Sequence, residues 1–239
     1  MKNRKIEEFN YIVFDLETTG LSPKTEQIIE IAARKINTKG ETIELFHNFI
    51  NLYDNNELSD FIINLTNITP EILQNEGRNV DEVMEEFLDF IDGGILVAQN
   101  SPFDMGFLMQ YYLFRRKMPF TRICLDTIGL AKFLLPGKQS YKLSELVHMF
   151  GVDYDSNAHH RADYDVLITS QVLTKQFEGL SNRGITTLND LLKANNYIEH
   201  SEKQASFLDS LMGQRNHHLH DYDLFDKRSA SVHIDYYLN

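Results

Sequence analysis

Two carboxylates stand in the most strand-like segment near the start of the chain. The segment Tyr11–Gly20 reads YIVFDLETTG, with Asp15 and Glu17 two positions apart. Because residues i and i+2 of a strand project to the same face, these carboxylates must lie side by side. Like charges that close repel each other, and burial raises the cost, so a divalent cation is the most direct compensation. In the alternative interpretation, one carboxylate simply faces solvent on an edge strand, since so short a pattern also matches by chance.

Other acids and a histidine stand near the ends of later elements. Asp104 falls in the first turn of a helix that follows the strand Ile95–Ala98, where an acid also compensates the helix dipole. His160 precedes the last helix of this region and Asp165 lies just over a turn into it, and by themselves both fit a solvated surface. Thr18-Thr19-Gly20 ends the first strand, so its carboxylates lie at the carboxyl end, where open α/β sheets bind ligands.

The elements that must position these residues first pair locally and then alternate. Ile28–Lys35 and Thr42–Phe49 predict an antiparallel pair of strands, separated by a turn-type cluster. The strands Ile95–Ala98 and Ile123–Leu125 then alternate with helices, which predicts an α/β fold with a mixed sheet. Caps and apolar stripes predict a helix that starts at Thr69-Pro70-Glu71 and further helices over residues 80–91, 100–116, 126–134, 143–150 and 161–177.

The helical periodicity fades near Glu178–Asn182, which predicts a domain of residues 1–179 and a C-terminal extension of residues 180–239. Within the extension, residues 187–192 and 205–212 are predicted as helices and Val232–Tyr237 as a strand. Sixty residues with little apolar content make a marginal core, so we expect the extension to dock on the first domain, a partner or another copy. The cluster His217–Asp221 has a metal-like composition and is interpreted as a solvated turn.

The composition restricts the classes of function. The net charge is −12, which disfavours a protein that holds duplex DNA by charge alone. A carboxylate site can still present positive charge to a phosphate once metal ions load. The N-terminus lacks the apolar stretch of a signal peptide and no apolar run reaches the length of a membrane span, so we expect a cytoplasmic protein. The single cysteine, Cys124, fits a small buried residue in a reducing compartment.

Three segments, FDLETTGL, AQNSPFDMGFL and HHRADYD, resemble in this order and spacing the motifs of the DnaQ-like exonucleases of the DEDDh type. The likeness is greatest to the proofreading domains, or epsilon subunits, of bacterial replicative DNA polymerase III, and it covers about Phe9 to Phe177. The resemblance implies an RNase H-like fold with a mixed five-stranded sheet flanked by helices. It also implies hydrolysis of DNA from the 3′ end, with release of nucleoside 5′-monophosphates.

The resemblance also assigns residues. It gives His160 as the general base, whereas His159 and Asp163 lie off the catalytic positions. Gln99 departs from the family, because many relatives carry His there. A ligand set of oxygens alone favours two Mg²⁺ or Mn²⁺ ions over zinc or copper. The acids implied as metal ligands are Asp15, Glu17, Asp104 and Asp165, and the implied contacts to the terminal nucleotide are Thr18, Leu21, Asn100 and Phe103.

Other functions compete with a DNA exonuclease. An exoribonuclease of the same fold is one, because nothing in the motifs reads the 2′-hydroxyl. An inactive docking subunit is another, although such a module is expected to have lost a metal ligand. A generic acidic metal-binding protein does not explain the order of the three motifs. The expected partners are a single-stranded DNA 3′ end, or RNA, and a DNA polymerase acting in trans, with no membrane.

Overall fold

Strand β1 (Tyr11–Thr18) lies at the centre of a mixed five-stranded sheet. The computed structural model describes residues 1–53, 57–155, 161–197, 201–214 and 226–238. The other strands are β2 (Ile28–Ile36), β3 (Thr42–Phe49), β4 (Ile95–Ala98) and β5 (Cys124–Asp126), in the order β3-β2-β1-β4-β5. β1 and β3 pair antiparallel with β2, whereas β4 pairs parallel with both β1 and β5. The predicted mixed sheet is therefore confirmed.

Helices cover both faces of this sheet. Several begin where the sequence places a cap: Thr69 accepts a hydrogen bond from Ile72 N–H, and Asp126 from Ile128 N–H, which satisfies free donors of the first turn. The helices are α1 (Asp60–Thr66), α2 (Pro70–Glu76), α3 (Val80–Phe90), α4 (Pro102–Met109) with a π-helical continuation (Gln110–Arg115), α5 (Thr127–Leu134), α6 (Leu143–Phe150), α7 (Ala162–Ser181), α8 (Leu188–Ala194), α9 (Glu202–Gly213) and α10 (Lys227–Leu238).

The alternation of side chains along β1 divides the core into two layers. Ile12, Phe14 and Leu16 pack with α3 and α4 on one face. Tyr11 and Val13 pack with α5 and α7 on the other. Burying each such side chain stabilises the fold by roughly 1.5–3 kcal/mol. Because the alternation continues along the strand, the residues that follow Tyr11 and Val13 on the α7 face are the two acids of the first motif.

Helix α7 lies across β1 and β2, and its apolar stripe determines its rotation. Ala162, Val166, Leu173 and Phe177 are all buried in the same layer as Tyr11, as the helical spacing predicts. The rings of Tyr11 and Phe177 lie 4.6 Å apart. With that face fixed against the sheet, the first turn of α7 stands over the carboxyl end of β1.

The predicted strand at Val232–Tyr237 is wrong, because these residues belong to helix α10. Ala230, His233, Tyr236 and Tyr237 are buried, a spacing of three and four that is helical, and the loose alternation between them was misleading. The predicted helices at 187–192 and 205–212 correspond to α8 and α9. α9 and α10 share a small apolar cluster with Leu113 of the π-helical segment.

The division at residue 179 stays a prediction. Its position falls in the last turns of α7, and leucines of α8 pack into the layer between α7 and the sheet. Cys124 is buried at the start of β5, as expected of a small apolar residue. None of the helices in the described ranges is long and apolar enough to cross a membrane.

Candidate active site

Three of the predicted acids meet at the carboxyl end of β1. Asp15 and Glu17 project from the α7 face of the strand, and Asp165 projects from the first turn of α7. One carboxylate oxygen of each lies within 4.8 Å of one from each of the others. Asp165 is almost fully buried, whereas Asp15 and Glu17 are half-buried. Three oxygen ligands at this separation, with part of the site open, suit a hard divalent cation.

The fourth predicted acid, Asp104, stands beside this group. It lies in the first turn of α4 and is 1% exposed. Its Oδ1 accepts a hydrogen bond from Leu16 N–H at 3.1 Å. After burial itself, the charge of Asp104 is the strongest of the effects that raise the pKa of Asp15. Asp104 therefore contacts the backbone that carries the other acids and brings a fourth carboxyl group to the site.

Burial and mutual repulsion raise the pKa values of these acids. Burial raises the pKa of Asp15 well above its usual range, and the charges of Asp104, Glu17 and Asp165 raise it further. Burial and the charge of Glu30 raise the pKa of Glu17 to about 9. Burial also raises the pKa of Asp104 to about 8. Carboxyl groups that resist ionisation so strongly need a compensating positive charge to act as anions at neutral pH.

The predicted general base, His160, and its neighbour His159 lie outside the described residues. The residues that follow them are described. Arg161 is the N-cap of α7, and Asp163, expected to lie off the catalytic position, is exposed on the first turn. The cluster His217–Asp221 also lies outside the described residues.

A buried acid that the sequence interpretation missed supports the start of α7. Glu30 of β2 stands opposite Glu17 in the sheet and is 0% exposed. Its Oε1 forms hydrogen bonds with His47 Nε2 at 2.7 Å and Arg161 Nη2 at 3.2 Å. Its Oε2 accepts a hydrogen bond from Ala162 N–H at 3.2 Å. Burial alone raises the pKa of Glu30, but these three donors lower it below its usual range. A lone Glu inside the apolar run IIEIAA is the signal that could have identified it.

The four residues that were predicted to contact the terminal nucleotide lie in different surroundings. The Thr18 hydroxyl donates to Gly20 C=O at 2.7 Å, which shapes the turn after β1. Leu21 follows this turn and is 86% exposed, a large apolar side chain left in solvent. Asn100 has a φ of 62° and donates its N–H to Asp126 Oδ1. Phe103 packs its ring 5.1 Å from that of Phe107. Of these four residues, Asn100 lines the same cleft as Asp15.

That cleft has a volume of about 890 Å³ and includes Asp15 and Asp165 in its lining. It falls within the usual range for ligand sites, roughly 300–1,000 Å³. A larger cavity of about 1,050 Å³ lies between α4 and α10, but none of the four acids is among its described lining residues. We therefore assign the chemistry to the smaller cleft, where the acids converge.

Gln99, which stands where many relatives carry His, links two sides of this cleft. Its Nε2 donates to Tyr141 C=O at 2.9 Å, and its Oε1 accepts from the Thr127 hydroxyl. Gln99 thus joins the end of β4 to the start of α5 and to the segment before α6. Its amide is engaged in the protein scaffold rather than directed at a ligand.

Comparisons with known proteins show the family of this chain. The model of the RNase T family, described as an exonuclease, matches residues 12–173. The DNA polymerase III PolC-type of Bacillus subtilis (strain 168) is 39% identical over 188 residues, covering 77% of this chain and 12% of the relative. That of Staphylococcus haemolyticus is 36% identical over 189 residues, covering 79% of this chain and 13% of the relative. The chain thus spans about an eighth of the length of these relatives.

Solved exonuclease structures share the fold. Exonuclease X in complex with 5′ overhanging duplex DNA has a TM-score of 0.58 at 22% identity, covering 77% of this chain and 99% of that one. E. coli exonuclease I in complex with a dA16 oligonucleotide has a TM-score of 0.63 at 18% identity, covering 77% and 43%. At these identities the likeness establishes the fold alone, and it confirms the predicted RNase H-like architecture.

Proposed function

This chain belongs to the RNase T family of exonucleases, and we propose that it removes nucleoside 5′-monophosphates from the 3′ end of DNA, in proofreading or repair. The observation that carries the proposal is the meeting of Asp15, Glu17 and Asp165 within 4.8 Å, with Asp104 beside them. The choice of DNA as the proposed substrate rests on the relatives, which are named PolC-type DNA polymerases.

The acids fit a pair of magnesium or manganese ions, because they offer oxygen ligands and repel one another when no cation is bound. Asp15, on the rigid central strand, would help to hold both ions. Glu17 and Asp165 would hold the ion that activates the attacking water, and Asp104 would hold the other. Two such ions activate water and stabilise the departing 3′-oxygen of a phosphodiester.

The protein's own groups orient the reactants. His160 would take the proton from the attacking water, since histidine is the side chain best suited to accept a proton near neutral pH. The exposed Leu21 wedges against the terminal base, while Thr18, Asn100 and Phe103 line the pocket of the same nucleotide. A positioned base of this kind contributes on the order of 100- to 10,000-fold to the rate.

RNA is the second candidate substrate, and a matched pair of strands separates the two. A 5′-labelled DNA strand with a 3′ mismatch and an RNA strand of the same sequence are incubated with magnesium, with and without EDTA. The proposal predicts a ladder shortening from the 3′ end of DNA, lost with EDTA. Faster shortening of the RNA strand identifies an exoribonuclease, and no shortening of either indicates a docking module.

The proposed partners are a single-stranded 3′ end and a DNA polymerase. The matched region makes up 12–13% of relatives that are named as polymerases, which supports action beside a polymerase active site. The proposed location is the cytoplasm, where bacterial replication takes place. Co-purification of a polymerase with the tagged chain from its own cells tests the partnership.

A further inference from the structure

One side of the active-site cleft is positively charged although the chain as a whole carries −12. The cleft is lined by Asp15 and Asp165, and the only other charged residues in its described lining are Lys132, Lys138 and Lys142. We call these three residues the lysine wall. A protein of net negative charge that binds a polyanion needs a local region of positive charge. The lysine wall is such a region, and it lines the same cleft as Asp15 and Asp165.

The lysine wall comes from two helices and the segment between them. Lys132 lies in α5, Lys138 lies in the connection, and Lys142 is the N-cap of α6. The connection is held in place by Tyr141, whose hydroxyl donates to Leu135 C=O at 2.8 Å and accepts from Lys138 N–H at 3.2 Å. The Lys132 ammonium stands 5.8 Å from the centre of the Tyr141 ring.

Gln99 links the segment that carries the lysine wall to the sheet that carries the acids. Its amide donates to Tyr141 C=O at 2.9 Å. Gln99 itself follows β4, which pairs with β1, the strand that carries Asp15. The segment between α5 and α6 is therefore attached to the same sheet as the acids, so the backbone that carries the lysines keeps a defined position relative to them.

The charges of the wall are available to a ligand. Lys132, Lys138 and Lys142 are exposed. Among the ion pairs of the described residues, none engages Lys138 or Lys142. Lys132 stands close enough to Asp126 to lower the pKa of that acid, though burial raises it more. Flexible ammonium groups of this kind act as point charges toward phosphate.

We propose that the lysine wall binds the phosphodiester backbone of the substrate strand, next to the phosphate that is cut at the acids. The proposal rests on the proposed nuclease function and adds the site that holds the strand. Each lysine that neutralises a phosphate releases condensed counterions from the strand. For single-stranded nucleic acid, log K therefore changes with log salt by about 0.7 for each contact.

The test compares two triple variants of equal charge. Lys132→Gln/Lys138→Gln/Lys142→Gln removes the lysine wall. Lys39→Gln/Lys193→Gln/Lys203→Gln removes three exposed lysines that line none of the clefts described above. Binding of a short, phosphorothioate-linked, single-stranded DNA is measured by fluorescence anisotropy in calcium buffer over a range of salt. Circular dichroism verifies that all proteins are folded.

The proposal predicts that loss of the lysine wall reduces the salt slope by about 2. Between about 50 and 200 mM salt, the wild type then loses about 20-fold more affinity than the variant. The control triple keeps the wild-type slope. Equal slopes for wild type and wall variant, or an equal decrease in both triples, would overturn the proposal. The single variant Lys142→Gln, with an expected decrease of about 0.7, provides an independent check.

This result is separable from the proposed function. Wild-type protein that shortens strands from the 3′ end, together with an unchanged slope in the wall variant, refutes the lysine wall alone. Wild-type protein that neither binds nor shortens any strand refutes both.

Discussion

The side chain of Asp104 accepts a hydrogen bond from the backbone N–H of Leu16, with 3.1 Å between Oδ1 and N. Leu16 lies between Asp15 and Glu17, so an acid of the second motif fixes the strand segment that carries both acids of the first. The two partners are 88 positions apart in the chain. The motifs are thus joined by a direct contact between α4 and β1 as well as by the charges they bring together.

This contact predicts different outcomes for two substitutions of Asp104. Because burial raises its pKa to about 8, Asp104 is largely neutral at pH 7 without metal, and Asp104→Asn keeps an acceptor for Leu16. We expect Asp104→Asn to be about as stable as the wild type. Asp104→Ala leaves a buried N–H without a partner, which costs about 1–3 kcal/mol. Urea unfolding in EDTA measures both, and equal stabilities of the two variants would contradict the assignment.

Removal of a metal ligand is expected to reduce turnover more than removal of the base. Asp15→Ala and Asp165→Ala disrupt the site itself, whereas His160→Ala removes a contribution of roughly 100- to 10,000-fold. Single-turnover rates on one DNA strand rank the three variants. Mild and equal losses in all three would argue against the roles given to them.

Magnesium binding is expected to release protons. In metal-free protein the pKa of Glu17 is raised to about 9 and that of Asp104 to about 8, chiefly by burial. Both carboxyl groups therefore hold protons at pH 7, and a cation must displace them. Calorimetric titration in two buffers of different ionisation enthalpy counts these protons. Asp165→Asn should bind magnesium far more weakly, and identical heats in the two buffers would refute proton release.

Glu30 is expected to support the start of α7. Its three donors, from His47, Arg161 and Ala162, satisfy a fully buried carboxylate. Glu30→Gln removes the charge and should lower the free energy of unfolding by about 1.5–3 kcal/mol. The hydrogen bond to Glu30 is the main factor that raises the pKa of His47, so that pKa should fall back toward its usual range. NMR titration of His47 in both proteins checks this, and an unchanged value would contradict the network.

His233 is expected to make the attachment of α10 sensitive to acid. It is fully buried, its Nδ1–H donates to Ser229 C=O at 2.8 Å, and its Nε2 accepts from Phe120 N–H at 3.2 Å. Burial lowers its pKa from 6.5 to about 4, although Ser229 and the charge of Asp226 oppose the change. When folding lowers the pKa of a base, the folded state is most stable at pH values above the pKa that the base has in the unfolded chain. This stability is lost as the pH falls below that pKa.

The loss from His233 should reach about 2 kcal/mol between pH 7 and pH 5. Urea unfolding at the two pH values measures it. His233→Phe serves as the control, because it removes the titrating group and should show a smaller difference between the two pH values. The same difference in both proteins would exclude His233 as its source.

Much of the site follows from local periodicity. The alternation of β1 places Asp15 and Glu17 on one face, and the stripe of α7 that buries Val166 and Phe177 turns Asp165 toward them. The first relation follows from the strand repeat alone, whereas Asp165 taken by itself fitted a solvated surface and was placed in the site through the resemblance. The order of the three motifs supplied the remaining residue assignments through resemblance.

Other features depend on contacts between distant segments. Gln99 meets Tyr141 across 42 positions, and Glu30 meets Ala162 across 132. No local pattern encodes such pairs, so Glu30 was missed and the role of Gln99 could not be assigned. The misassigned strand at Val232–Tyr237 has a different origin, because a loose alternation of apolar residues obscured the helical spacing of the residues that α10 buries.

The most direct test of the account is release of a labelled 3′-terminal nucleotide by wild-type protein and by Asp165→Asn, each with magnesium and with EDTA. The account predicts nucleoside 5′-monophosphate as the first product of the wild type with magnesium only, and none from the variant in either buffer. Equal release by the variant, or by the wild type in EDTA, would contradict the claim that these acids form a metal-dependent nuclease site.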